Sequence, residues 1–230
     1  MIDAYIIEYK NLARKLFPHS NLDYNDANTL ETLKSIFKSV EIIDTYVNST
    51  VSLDSWIQLK LNEVKNQLLI SLYYLPQFTP YVFNTFQRSI AELVLKITLY
   101  SASVDAKTID YQDAINGMQF RRLKEKIKNL QQYNNTFKNL LDNFFSFYGS
   151  SSNNIHLKKS STIISYIETY NYIVQEEIKQ LKNFVSKVES FLLSLFPKLH
   201  NLNDKELNMP AKIQLKKVIS NSLYERHFCC

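Results

Sequence analysis

The chain of 230 residues contains two glycines and five prolines, and 45% of its residues are hydrophobic. Sandwiches, barrels and doubly wound sheets of this length need many tight turns rich in glycine and proline, so the composition excludes them and predicts an all-α protein. The formal net charge is +5, with 7 Lys/Arg and 9 Asp/Glu in residues 1–80 but 20 and 13 in residues 81–230. Basic surface of this kind attracts nucleic acid, although a solvated helix face carries the same charges.

No segment of the sequence predicts a membrane span or a secretory signal. The longest apolar run, Leu68–Leu75, is far shorter than the roughly 20 residues that a spanning helix needs. The N-terminus has an acid at position 3 and lacks the basic segment of a signal peptide. Cys229 and Cys230 are adjacent, so they cannot link distant parts of the fold or form a metal site by themselves. The sequence predicts a cytoplasmic protein without a metal, a cofactor or a membrane contact.

Helical patterns follow one another along the chain and predict an elongated antiparallel bundle of six to seven helices. We expect a single domain, residues 1–230, in which an N-terminal helical hairpin (1–50) packs on a bundle made by residues 52–226. The first helices are predicted, in chain order, over residues 2–17, 26–48, 53–75, 81–100, a short and weaker 105–117, and 118–147.

The sixth long helix carries the most regular pattern. From Ile167 to Leu195, positions that step alternately by four and three residues are apolar except for Asn171. Such a heptad seam packs either inside a bundle or against a second copy of the chain, so a homodimer through Ile167–Leu195 is an open alternative to bundle core. The helix is expected to stop at "LFPKLHN", and a last helix near 210–226 begins with Pro210 in its first turn.

Three basic runs are candidates for contact with RNA. The densest is "FRRLKEKIKNL", Phe120–Leu130, in which Glu125 is the only acid. The alternative interpretation is a solvated helix face. The cations of the three runs are Arg121, Arg122, Lys124, Lys126 and Lys128 in the first, Lys158 and Lys159 in the second, and Lys212, Lys216 and Lys217 in the third.

The stretch "FYGSSSNNIHLKKSS", Phe147–Ser161, interrupts the helical pattern and predicts a polar turn before the sixth helix. Backbone N–H groups point outward at the start of a helix, so Ser150, Ser151, Ser152 and Asn154 could cap it or hydrogen-bond a phosphate. His156 would lie beside such an anion, with Lys158 and Lys159 adding positive charge. The alternative is a flexible turn with an exposed histidine. His19 and His200 follow helix-stopping prolines and are expected to be exposed.

Two short motifs resemble bacterial helical proteins of the HEPN superfamily and its abortive-infection relatives. "YGSSSNNIH", Tyr148–His156, resembles their Tyr-x-x-x-Ser-x-x-aliphatic-His turn, and "FQRSIAELVLKI", Phe86–Ile97, resembles the Arg-x-x-x-Glu helix that precedes it. The resemblance covers about residues 60–200. It implies a dimeric helical protein that binds or cleaves RNA, or binds a cognate protein partner, in antiphage defence or a toxin–antitoxin system.

The nuclease motif of that superfamily is an arginine and a histidine separated by four to six residues. The positions that precede His156 at this spacing hold Gly149, Ser150 and Ser151, so the cation that would stabilise a phosphorane transition state is missing. We therefore predict a non-catalytic protein that binds RNA or a protein partner. The alternatives are a metal-independent ribonuclease that uses Arg88 and His156, and a structural or adaptor bundle without nucleic-acid contact.

Arg88 and Glu92 lie four residues apart, on the helix face that also holds Asn84 and Lys96. They could form the polar stripe of an otherwise buried helix. The alternative, functional hypothesis is that a partly buried Arg88 reaches His156 or a bound phosphate.

Overall fold

The computed structural model describes residues 1–20, 22–49, 53–77, 80–103, 109–130, 133, 137–155 and 163–229. These residues contain helices and no strand, so the predicted all-α class is confirmed. In chain order the helices are α1 (Ile2–Leu16), α2 (Ala27–Ser49), α3 (Ser55–Tyr74), α4 (Pro80–Ala102), α5 (Ile109–Asn116), α6 (Phe120–Lys128), α7 (Lys138–Ile155), α8 (Ile163–Ser190), α9 (Met209–Val218) and α10 (Asn221–Phe228).

The predicted count of six to seven helices is wrong, because the described residues form ten. The helix expected over residues 118–147 is divided into α6 and α7, and the intervening segment 129–136 contains three Asn and two Gln. Asn side chains compete for backbone hydrogen bonds and are poor helix formers. The helix expected over 210–226 is likewise divided, because Ile219 is extended and Ser220 caps α10 by accepting from the Leu223 N–H.

The turn predicted at Tyr148–His156 is wrong as far as Ile155, because α7 continues through Gly149 and the serines. Buried side chains hold this half of α7 in place: Phe144, Phe145 and Tyr148 belong to the core, and Ser151 is fully buried. Tertiary packing against α4 therefore outweighs the weak helix propensity of the Gly-Ser run. His156, Lys158 and Lys159 lie outside the described residues.

Gly149→Ala is expected to raise the free energy of unfolding by about 0.5–1 kcal/mol, because alanine is the better helix former. A Cβ built at Gly149 meets nothing within 4 Å, so the added methyl group costs no repacking. Urea unfolding followed by circular dichroism measures the change. A loss of stability on substitution would contradict the continuous α7 and support the turn.

The core is continuous along the chain, with buried apolar residues from Ile6 to Phe228 in one cluster. Helix α4 packs on α3, α6 and α7, while α2 packs on α3 and on α8. The only tryptophan of the chain, Trp56, stacks on Tyr100 with ring centroids 4.4 Å apart. No helix in the described ranges combines the length and the apolar character that a membrane crossing requires.

Over the residues that the structure describes from Glu176 onward, the heptad seam packs within the chain. Ile178, Leu181, Val185, Val188 and Leu192 are all buried, and α8 packs them towards α2. The side chains of the seam before Glu176 lie outside the described set. A homodimer through Ile167–Leu195 therefore stays a prediction.

The sequence predicted that Pro197 would stop α8, but the helix continues past this residue. It passes through one π-helical turn (Phe191–Leu195) into a last α-helical turn (Phe196–Leu199). In the π turn the Phe196 N–H donates to the Phe191 carbonyl, five residues back. The Leu192 carbonyl thereby loses its α-helical donor, and Pro197, the donor at π spacing, has no N–H. The buried Tyr46 hydroxyl supplies the missing bond, donating to Leu192 O at 2.8 Å.

Candidate nucleic-acid interface

A polar groove follows the outer side of α8 where this helix passes α7 and α10. Three adjoining cavities, of about 510, 450 and 270 Å3, share lining residues and make up the groove. Asn143 and Lys187 line both of the first two, and Ser194 and Lys198 line both of the last two. We call this surface the α7–α8 groove.

Helical periodicity explains why the groove is polar. Gln180, Asn183, Lys187, Ser190 and Ser194 recur every three to four residues, and therefore form one stripe of α8. At 3.6 residues per turn, this stripe lies on the opposite side of the helix from the buried seam. Helix α7 contributes a matching stripe, Asn143, Ser146, Phe147 and Ser150.

The lower part of the groove is positively charged. Lys187, Lys198 and Arg226 line it, and no Asp or Glu is among the lining residues of the three cavities. Lys198 lies over the Phe137 ring, with Nζ 5.1 Å from the centroid. The pKa of His227 is lowered, first by burial and then by the charges of Arg226 and Lys198. This arrangement would attract a chain of phosphates.

The upper part of the groove is neutral and carries amides. Gln180 and Asn183 are exposed, and neither side chain makes a hydrogen bond to another described residue. Glu176 is the residue one turn before Gln180 on the same stripe, and its carboxylate lies 3.9 Å from the Lys179 amine. The charge along this side of α8 therefore changes from an ion pair through neutral amides to the cations of the lower part.

The structure does not bring the predicted basic run of α6 into this groove. Arg121 and Arg122 are exposed, and Arg121 pairs with Glu125 at 3.3 Å. Lys124 lies over the Phe145 ring, with Nζ 5.3 Å from the centroid. Phe145 and Tyr148, through which α6 contacts α7, lie on the other side of α7 from Asn143, Ser146 and Ser150. The two basic surfaces are therefore separate.

Arg88 contacts Tyr148, the first residue of the motif Tyr148–His156. Its guanidinium donates to the Tyr148 hydroxyl at 3.0 Å and its Cζ lies 4.9 Å from the centre of the Tyr148 ring. Phe120 stacks on the same ring, with centroids 3.6 Å apart. One residue earlier, Gln87 accepts a hydrogen bond from the buried Ser151 hydroxyl at 3.3 Å. These contacts fasten α7 to α4.

Glu92 pairs with Lys96 at 2.7 Å, and the Lys96 amine also donates to the Asn116 carbonyl at 2.7 Å. The predicted polar stripe of α4 thus contributes to packing. Whether Arg88 also reaches His156 or a phosphate stays a prediction, because His156 lies outside the described residues.

The other predicted site residues have different surroundings. Ser152 is half-buried in the last turns of α7 rather than at the start of a helix, and Asn154 is in the same helix with its side chain outside the described set. In the third basic run, Lys212 pairs with Asp204 at 2.8 Å and Lys216 lies over the Tyr224 ring at 4.8 Å. These two lysines hold α9, α10 and the preceding loop together.

The prediction that His19 is exposed is confirmed, whereas the same prediction for His200 is wrong. His200 is half-buried because the chain continues past Pro197 into the core. Its Nε2 lies 2.9 Å from the Ser101 hydroxyl oxygen, and its ring packs on Phe196 at 4.5 Å. Burial lowers the pKa of His200 to about 4, against an opposing effect of the Asp54 carboxylate.

Among the described residues, no three His, Cys, Asp or Glu side chains are grouped closely enough to hold a metal ion. No protein-family model, curated protein or solved structure matches this chain. The functional argument therefore rests on the geometry and charge of the α7–α8 groove.

Proposed function

We propose that this chain is a non-catalytic, RNA-binding helical protein and that the α7–α8 groove holds the RNA backbone. One observation carries the proposal: the groove is continuous over three cavities, contains Lys187, Lys198 and Arg226, and has no carboxylate in its lining. The chain as a whole has 22 Asp and Glu against 27 Lys and Arg, so a long acid-free surface is a local departure from the average.

The charge of the groove gives a physical reason for binding. Each lysine or arginine that neutralises a phosphate releases condensed counterions, which makes affinity fall steeply with salt. Lys187 and Lys198 are in no ion pair with another described residue, so they lose no carboxylate partner when RNA binds. The resemblance to HEPN-type proteins supports an RNA target, and it suggests a cytoplasmic role in antiphage defence or a toxin–antitoxin system.

The test compares two pairs of cations. Lys187→Ala with Lys198→Ala removes two charges from the groove, and Arg121→Ala with Arg122→Ala removes two from the exposed face of α6. Fluorescence anisotropy with a labelled single-stranded RNA, between about 50 and 200 mM salt, gives the affinity and its salt dependence. We expect the groove pair to lower affinity roughly tenfold at low salt and to reduce the salt slope by about 1 to 2.

The α6 pair is the matched control and is expected to bind as wild type does. The reverse pattern, with the loss confined to the α6 pair, would move the RNA site to the run that the sequence first indicated. Absence of RNA binding at low salt would leave the cations as solvated surface and would favour a protein partner or an adaptor role.

The same samples test the ribonuclease alternative. RNA recovered after incubation with chelator is expected to be intact, because the motif arginine before His156 is missing. Metal-independent degradation that disappears in both Arg88→Ala and His156→Ala would overturn the non-catalytic assignment.

A further inference from the structure

We infer that the upper, amide-lined part of the α7–α8 groove contacts nucleobases, so that the ligand is single-stranded RNA with unpaired bases. This inference rests on the proposed function, because it assigns parts of the same groove to different parts of the RNA. The side chains proposed to contact the bases are the two exposed amides of α8, Gln180 and Asn183, and the aromatic ring of Phe147 in the same cavity.

The charge gradient separates the two parts. Phosphates are favoured beside Lys187, Lys198 and Arg226, whereas the next turn of α8 above Gln180 carries the Glu176–Lys179 pair, whose charges cancel. A phosphate near Gln180 would therefore gain no net attraction from that turn, so the neutral part of the nucleotide is the better occupant there. A base presents both donors and acceptors, as an amide side chain does.

Several polar groups of the groove are already bonded within their own helices. Ser190 donates to the Ser186 carbonyl at 2.8 Å and Ser194 to the Ser190 carbonyl at 2.5 Å, so both hydroxyl protons are used within the helix. Asn143 donates to the Asn139 carbonyl at 2.6 Å. Gln180 and Asn183 have no such bond within the described residues, and their donors and acceptors are available to a ligand.

A half-buried aromatic ring adds a second kind of base contact. Phe147 lines the upper cavity and packs edge-on against Phe184, with centroids 5.1 Å apart. Bases stack on exposed aromatic faces in proteins that bind single strands. Along α8, the distance from Gln180 to Lys198 is roughly 27 Å at 1.5 Å per residue, which accommodates several nucleotides.

Duplex RNA cannot satisfy this arrangement. The major groove of an A-form helix is too deep and narrow for side chains, and bases that are paired hide the edges that amides would read. A single strand can direct its phosphates towards the lysines and its bases towards Gln180 and Asn183.

The experiment measures binding of four labelled probes of about 12 nucleotides at about 50 mM salt. The probes are oligo-U, oligo-A, an abasic ribose-phosphate strand, and a blunt RNA duplex. Gln180→Ala with Asn183→Ala is the test variant. Asn62→Ala with Asn66→Ala, an amide pair one turn apart on α3 and outside the groove, is the matched control. Both pairs replace amides by a better helix former, so the fold is retained.

We expect wild type to bind oligo-U or oligo-A about tenfold more tightly than the abasic strand, and the test variant to lose that difference while binding the abasic strand unchanged. The control pair should bind all four probes as wild type does. Equal affinity of wild type for abasic and base-bearing strands, or tighter binding of the duplex, would overturn this inference and leave the proposed function standing. Failure of every probe to bind would overturn both.

Discussion

Replacing Tyr46 with Phe is expected to lower the free energy of unfolding by about 1–3 kcal/mol, although only one oxygen atom is removed. The Tyr46 hydroxyl is the donor to the Leu192 carbonyl in the π turn of α8. The backbone offers no substitute, because the Phe196 N–H is bonded to Phe191 O and Pro197 has none. The variant would leave a buried carbonyl without a donor, and this unpaired group causes most of the loss.

Thr98→Val is the matched control for this prediction. Thr98 is also fully buried, and its hydroxyl donates to the Val94 carbonyl at 2.9 Å. That carbonyl lies inside the regular helix α4, where the backbone N–H four residues later remains as its donor. The control is expected to cost less than about 1 kcal/mol. Equal losses in the two variants, measured by urea unfolding, would show that the π turn does not depend on Tyr46.

Acid is expected to destabilise the protein through His200. Burial lowers its pKa to about 4 from 6.5, so between these values the unfolded chain binds a proton that the folded chain does not. The free energy of unfolding therefore falls as the pH falls through this window, by up to roughly 3 kcal/mol. His200→Gln keeps an acceptor for the Ser101 hydroxyl and removes the proton-binding ring, so the variant should gain stability relative to wild type as the pH falls.

Glu177 works in the opposite direction and must be separated from His200. Burial raises its pKa to about 7, so it is protonated in the folded chain and its contribution to stability is lost as the pH rises from 4.5 to 7. Urea unfolding at several pH values, in wild type, His200→Gln and Glu177→Gln, resolves the two effects. Parallel curves for wild type and His200→Gln would show that His200 is not responsible for acid sensitivity.

The helical class and the core face of α8 could be predicted because they depend on composition and on a local period. Two glycines in 230 residues exclude most alternatives, and the seam from Ile178 to Leu192 has the spacing that helical packing requires. Element boundaries were less predictable. The Gly-Ser run after Phe147 has the composition of a turn, but Tyr148 and Ser151 are held by Arg88 and Gln87 of α4, some 60 residues away in sequence.

The groove could not be found by the same methods, because it is a relation between helices. Its α7 stripe and its α8 stripe are each an ordinary polar helix face, and Arg226 and His227 come from the end of the chain. One signal was available in the sequence, because the outer stripe of α8 has no acid from position 180 to 198. The acid within that interval, Glu189, lies on another side of the helix and contacts Ser35 and Lys38 of α2. Dense runs such as Arg121–Lys128 attract attention first, although the structure places them elsewhere.

The π turn at Phe191–Leu195 has a consequence for the evolution of the chain. A π turn holds one residue more than an α turn, so the loss of any one residue there would let the helix continue in regular α geometry. The hydrogen bond from the Phe196 N–H to the Phe191 carbonyl would then span four residues instead of five, so Phe196 and the residues after it would keep their present sides of the helix. Phe196 would keep its stack on Tyr46, whose ring centroid is 5.2 Å away, and Lys198 would stay in the lining of the groove. A descendant of this chain can therefore lose one residue from this segment and still retain the cationic end of its groove.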